Sequence, residues 1–163
     1  MDRVNRIVQA RYAIEEIMFR YAEGIDTGDI ESVGELFAQG AIVLPDGARI
    51  SGYQEVFDAY AGMVMFYDDD ENIVPYQRNE CSPRTRHVVT NLVFEFDSEV
   101  TGADVKSYFT VYQTLGGENH LVAGGRYVDR FERSSQGWHI ATRTIHFENM
   151  GDMSRHNTAF EPD

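Results

Sequence analysis

The sequence predicts an α+β domain in which a curled antiparallel β-sheet encloses helices that precede it in the chain. Three observations carry this. Before about residue 66, apolar side chains recur mainly at the three- and four-residue spacing of amphipathic helices. From about residue 84 to 149, β-branched and aromatic runs are separated only by short turn-forming clusters. Long strands joined by short turns pair as an antiparallel meander, and helices followed by such a meander form the α+β pattern. A sheet of that length must curl, and helices packed in its concavity leave a pocket at the open end.

In chain order, Asp2 can cap a first helix whose stripe is Val4, Ile7, Val8, Ile14, Ile17, Met18, Tyr21 and Ile25. Gly24 is the expected end of that helix, with Asp26 just beyond it. Asp29 caps a second, short helix carrying Ile30, Val33, Leu36 and Phe37. Residues 41–44 and 49–51 read as a hairpin around Pro45-Asp46-Gly47. Helical spacing resumes from Tyr53 through Val56, Phe57, Tyr60 and Val64. Residues 67–83, with Asp68-Asp69-Asp70-Glu71, read as a solvated loop. Strands follow at about 84–97, 104–115, 119–133 and 137–149, divided by Thr101-Gly102, Gly116–Asn119 and Ser134–Gly137. Residues 1–149 thus make one domain. Residues 150–163 form a tail whose Met150, Met153 and Phe160 suit it to pack over the pocket or a partner subunit.

The chain has 163 residues, 42% hydrophobic and 12% aromatic, enough for a packed core. Its formal net charge of −13 repels phosphate, which argues against nucleic-acid and anionic-membrane partners. The lone Cys81 excludes an intrachain disulfide and a cysteine-rich zinc site. The start lacks the apolar core of a signal peptide and no apolar run approaches a membrane span, so a soluble cytoplasmic protein is expected. There is no phosphate-binding glycine loop, nucleophile elbow or HExxH motif. His87, His120, His139, His146 and His156 never occur at paired ligand spacing, so no metal site is expected. What remains is acid–base chemistry without a cofactor, for which an imidazole is suited because it titrates near neutral pH.

The strand from Arg84 to Phe96 holds the histidine of interest. Leu92, Phe94 and Phe96 share a parity with Val88 and Thr90, which puts His87 on the opposite face. An inward His87 therefore requires a bulge, expected between His87 and Thr90, with Thr90, Leu92, Phe94 and Phe96 continuing the inner face. On the residues alone, His87 reads first as a structural or surface histidine, with a base as the alternative. A base works better with a carboxylate on its other ring nitrogen. Asp26 suits that task because it follows an apolar helix that must pack into the sheet, whereas Asp29 is explained as a cap.

Arg20-Tyr-Ala-Glu-Gly-Ile-Asp-Thr-Gly-Asp29, Leu36-Phe-Ala-Gln-Gly-Ala41, Arg86-His-Val-Val-Thr-Asn91, Gly125-Arg-Tyr-Val-Asp-Arg-Phe131 and Gly137-Trp-His-Ile-Ala-Thr-Arg143 occur in that order. Together they resemble the SnoaL-like family of the NTF2-like superfamily, over about residues 8–148. The resemblance implies a cone-shaped, curved antiparallel sheet closed by helices, and a homo-oligomer, trimer or dimer. Parallels in the superfamily are scytalone dehydratase and the hexachlorocyclohexane dehydrochlorinase. From them it implies a catalytic Asp26–His87 dyad and Arg143 at the leaving group. Tyr21, Val43, Tyr127, Ala123 and Ile145 are implied as substrate-binding wall positions. It implies no metal and no cofactor. The expected activity is that of a dehydratase or other lyase, or an isomerase or cyclase, on an apolar polyketide-, aromatic- or steroid-like small molecule. Alternatives are a ligand-binding or assembly subunit like the small subunits of ring-hydroxylating dioxygenases, and a hydrolase of the same fold. Arg143 also reads as an ion-pair partner for Asp129 or Glu148. The segment Lys106–Tyr112 departs from the pattern, carrying no second histidine where scytalone dehydratase has one.

Overall fold

In the computed structural model, which describes residues 2–160, the Asp2 carboxylate accepts the Asn5 amide at 2.9 Å and opens helix α1 (Arg3–Thr27). The helix does not stop at Gly24. A Cβ there would sit 2.8 Å from Val33 Cγ2, so this glycine lets the second helix pack closely. The terminator is Gly28, at φ 77°, whose amide turns back to the Ile25 carbonyl at 3.1 Å. Asp26 therefore lies in the last turn of α1 and not beyond it. Asp29 caps α2 (Ile30–Leu36), accepting the Ser32 amide at 3.2 Å.

β1 (Ala41–Val43) and β2 (Arg49–Ser51) form the anticipated hairpin, followed by α3 (Gly52–Met63). The segment expected to be a solvated loop is partly structured. β3 (Phe66–Tyr67) pairs with β4 (Ile73–Val74), and Phe66, Tyr67 and Cys81 are buried. The acidic residues make its turn, since Asp68 Oδ1 accepts the Asp70 and Asn72 amides at 3.0 and 2.9 Å. Four long strands then follow, β5 (Thr85–Phe96), β6 (Gly102–Leu115), β7 (Glu118–Ser134) and β8 (Gly137–Met150), and a 3-10 turn at Thr158–Phe160. The main sheet has the order β2-β1-β8-β7-β6-β5; the long strands form an antiparallel meander, and β1 adds parallel to β8.

Side chains alternate along the sheet. Val105, Phe109 and Val111 of β6 are buried between exposed or half-buried neighbours. They meet Ile14, Met18, Tyr21 and Ile25 from α1, in one core with Phe131 and Ile140. Each such fully buried large apolar side chain contributes roughly 1.5–3 kcal/mol.

β5 contains a bulge, placed later than expected. Pairing with β6 is continuous from Thr85↔Gln113 to Thr90↔Tyr108 and resumes at Val93↔Lys106, with Asn91 at φ 56°. Thr85, His87 and Val89 thus face inward before the bulge, and Leu92, Phe94 and Phe96 after it. Thr90 is exposed, a correction to the expected inner face. The reason is parity: with the extra residue at 91–92, every odd position up to Val89 stays in phase with His87.

After β8 the chain turns back. Gly151 donates to the Val122 carbonyl at 2.9 Å, Met65 donates to the His156 carbonyl at 2.9 Å, and Asn157 bridges to Val64. The segment beyond residue 149 thus packs along the sheet and the end of α3. Residues 161–163 of the expected tail lie outside the described residues. Among the described residues no helix is long and apolar enough to cross a membrane.

Candidate active site

The last turn of α1 meets the start of β5, bringing Asp26 to His87. Asp26 Oδ1 lies 2.6 Å from His87 Nδ1, and Oδ2 accepts the His87 backbone amide at 2.8 Å. Thr85, two residues away on the same face of β5, donates its hydroxyl to Oδ1 at 2.7 Å. The two side chains are only 7% and 9% exposed, His87 and Asp26 respectively. Burial alone would push the Asp26 carboxyl up. The His87 ring and amide and the Thr85 hydroxyl outweigh it, holding the carboxyl below its ordinary value. A carboxylate on Nδ1 fixes the tautomer and leaves Nε2 as the basic nitrogen.

His87 lines a cavity of about 260 Å³ between the helices and the concave face of the sheet. Most of its wall is apolar, including Ile25, Ile42, Leu44, Phe109, Val111 and Phe147. Tyr21, Tyr127, Ala123 and Ile145 lie on this wall. Val43 does not. The alternation of β1 sends Ile42 into the cavity and Val43 to the other face, and Ile42 and Leu44 take the place expected for it. The Tyr21 and Tyr60 hydroxyls are hydrogen-bonded to each other. Burial raises the pKa of Tyr21, Tyr60 and Tyr127, so all three present neutral hydroxyls.

Arg143 is not on the cavity wall. It stands opposite Asp129 in the β7–β8 register and forms a two-point ion pair, Nε to Oδ1 at 2.9 Å and Nη2 to Oδ2 at 2.7 Å. Both side chains are fully buried. Its guanidinium sits 4.3 Å from the Tyr21 ring centroid and 4.2 Å from that of Tyr127, behind the two tyrosines that face the cavity. Burial disfavours its charge, but Asp129 and the two tyrosines more than compensate, so its pKa lies above the ordinary value. Of the residues singled out in the sequence, the structure therefore brings Asp26, His87, Tyr21, Tyr127, Ala123 and Ile145 together, with Arg143 one layer behind.

Met153 lies on the cavity wall, as its place in the tail suggested, but sequence reasoning missed Tyr60, His156 and Asn157 there. The only signal for that segment was its spaced apolar side chains, and nothing singled out His156. Burial and the neighbouring His87 lower the His156 pKa from 6.5 to about 4, with Asp26 opposing, so this ring is neutral near pH 7. Among the described residues no group of three or more His, Cys, Asp or Glu side chains is placed to hold a metal ion.

A family model described as a SnoaL-like domain matches residues 6–144. Among curated proteins, none gives a significant match. Solved structures do. Rv3472, a function-unknown protein from Mycobacterium tuberculosis, is 23% identical, with TM-score 0.70 over 92% of this chain and 78% of that one. The hexachlorocyclohexane dehydrochlorinase LinA-type3 from Novosphingobium barchaimii LL02 is 16% identical, with TM-score 0.65 over 88% of this chain and 90% of that one. An NTF2-like protein with a cystatin-like fold from Novosphingobium aromaticivorans is 18% identical, with TM-score 0.64 over 85% and 82%. The fold is therefore the NTF2-like, cystatin-like α+β fold, as the sequence resemblance implied.

Proposed function

We propose, from the premise that this chain belongs to the SnoaL-like domain family, that it is a cofactor-independent enzyme abstracting a carbon-bound proton from an apolar small molecule. One observation carries the reading: a buried Asp26–His87 contact of 2.6 Å at the wall of an otherwise apolar cavity. Asp26 accepts the Nδ1 proton, and His87 Nε2 takes the substrate proton. The imidazolium that forms is stabilised by the carboxylate. The electron pair left on carbon then expels a leaving group, as in a dehydratase or other lyase, or is reprotonated elsewhere, as in an isomerase or cyclase. The neutral hydroxyls of Tyr21, Tyr60 and Tyr127 supply hydrogen bonds, and Arg143 serves as a positioning residue that props Tyr21 and Tyr127 from behind. The likeness in fold to LinA-type3, named a dehydrochlorinase, supports elimination as one outcome. The scheme needs no metal. In this reading the partners are a small-molecule substrate and further copies of the chain, in a trimer or dimer, with no role for nucleic acid or membrane.

Deuterium uptake tests the reading even while the natural substrate is unidentified. A panel of apolar ketones with acidic C–H bonds, 2-tetralone among them, is incubated with the protein in D2O and followed by proton NMR. Accelerated exchange that disappears in His87→Ala supports the assignment. Exchange persisting in His87→Ala, or absent across the panel, would sink it.

A further inference from the structure

We propose that His156, carried by the segment after β8, is a substrate-binding residue whose ring N–H hydrogen-bonds the carbonyl oxygen of an apolar ketone on which His87 acts. This rests on the proton-abstraction reading above and narrows its substrate class.

The placement comes first. His156 and His87 line the same cavity, one from the final segment and one from the start of β5. The backbone beside His156 is tied down by hydrogen bonds from Tyr67, Gln113 and Met65. The Arg155 carbonyl accepts the Tyr67 hydroxyl at 2.6 Å and the Gln113 amide at 3.0 Å, and Gln113 is itself buried. The His156 carbonyl accepts the Met65 amide at 2.9 Å, and its own amide donates to the Met153 carbonyl at 2.9 Å. A side chain carried on backbone that is already fixed loses less freedom when it binds a ligand.

The chemistry follows from the ring's surroundings. His156 Nδ1 is buried and has no hydrogen-bond partner. Burying a polar nitrogen unpaired is unfavourable, and a ligand oxygen would offset that. Burial beside His87 keeps the ring neutral near pH 7, so it can donate a hydrogen bond without adding a second positive charge when His87 becomes protonated. Most of the wall is apolar, which suits a hydrocarbon body with one oxygen close to the acidic carbon.

The step balances without a co-reactant. The C–H bond breaks and its proton moves to His87 Nε2. The electron pair forms a C=C bond while the carbonyl π pair moves onto oxygen, giving an enolate. His156 keeps its proton and donates a hydrogen bond to that oxygen, as an oxyanion-hole donor does. Return of the proton to either end of the enolate system regenerates His87.

The test uses the full chain, 2-tetralone as exchange probe and 2-naphthol as a stand-in for the enol. With His156→Leu, exchange should fall about 10²-fold, the usual effect of one lost oxyanion donor, and 2-naphthol affinity about 10-fold. His156→Gln, which keeps an N–H donor, should recover part of both losses. In wild-type protein labelled with nitrogen-15 on histidine, 2-naphthol should shift the His156 ring resonances. Unchanged exchange in His156→Leu, together with loss of exchange in His87→Ala, overturns the His156 assignment and leaves the proton-abstraction reading standing. If wild-type protein exchanges no ketone, that reading fails, and the naphthol experiment still decides about His156: unshifted ring resonances, or no naphthol binding, overturn it.

Discussion

The Asp26 carboxylate holds His87 at two points, Oδ1 on ring Nδ1 at 2.6 Å and Oδ2 on the backbone amide at 2.8 Å. One side chain therefore sets both the direction of the ring and the position of the strand that carries it. Asparagine would keep the volume but give up the charge and favour the wrong tautomer. Asp26→Asn should lower proton exchange about 10²–10⁴-fold, judged by initial rates on the best ketone of the panel.

Thr85 completes the grip through its 2.7 Å hydrogen bond to Asp26. Thr85→Val removes that bond to a charged group at nearly constant volume. It should cost about 1–3 kcal/mol in urea unfolding. Because the Thr85 hydroxyl helps depress the Asp26 pKa, the carboxylate stage of acid unfolding should begin at higher pH in the variant. An unmoved stage would remove Thr85 from the account.

The Asp129–Arg143 pair is fully buried, so breaking it from one side leaves a charge without a partner. Asp129→Asn or Arg143→Met alone should each cost about 3–5 kcal/mol, and the double variant clearly less than their sum. A double-mutant cycle in denaturant measures this. Additive losses would mean that the two side chains do not act as a unit.

Acid should loosen the fold in two stages. His156 titrates at 6.5 when unfolded and at about 4 when folded, facing His87 and Asp26. Its unfolded form takes up a proton first as pH falls, so its contribution is complete above pH 6.5 and is lost progressively down to about pH 4. At about 1.4 kcal/mol per pH unit, the loss comes to roughly 3 kcal/mol. The Asp26 carboxyl is also depressed, so its contribution is present above the ordinary carboxylate range and disappears as pH falls through the lower folded value. Urea unfolding across this range should show the upper stage vanish in His156→Gln while the lower stage remains.

Gly28 sits at φ 77°, and a Cβ there would lie 1.9 Å from the Cys81 carbonyl oxygen. Gly28→Ala should cost more than about 1 kcal/mol. Because the strain falls two residues from Asp26, exchange should drop as well. A stable variant with full exchange would show that the end of α1 is not what places Asp26.

Much of the architecture was legible because local patterns dictate it. The stripe from Ile14 to Ile25 and the turn clusters at Gly116–Asn119 and Ser134–Gly137 locate the helix and the long strands within a few residues. Features that depend on distant chain were not. Gly24 and Gly28 look alike in sequence, yet one admits Val33 and the other ends α1. The burial of Phe66 and Tyr67 and the parallel seat of β1 beside β8 are set by tertiary packing. In the site, strand parity and the end of the first helix point to His87 and Asp26, and family resemblance supplies most of the weight on a catalytic role. For Arg143 the resemblance implies a place at the leaving group and the residues alone allow a pair with Asp129 or Glu148; the β7–β8 register decides for Asp129. His156 reaches the cavity by a path that no periodicity reveals.

The bulge at Asn91 gives β5 two phases along one backbone. Upstream, odd-numbered residues look inward and hold Thr85 and His87; downstream, even-numbered residues do, and hold Phe94 and Phe96. Losing the extra residue at Asn91 would close the bulge and leave one regular alternation, with His87, Leu92 and the two phenylalanines on the same face, so the insertion sets the bend of the strand and not which of its side chains look inward.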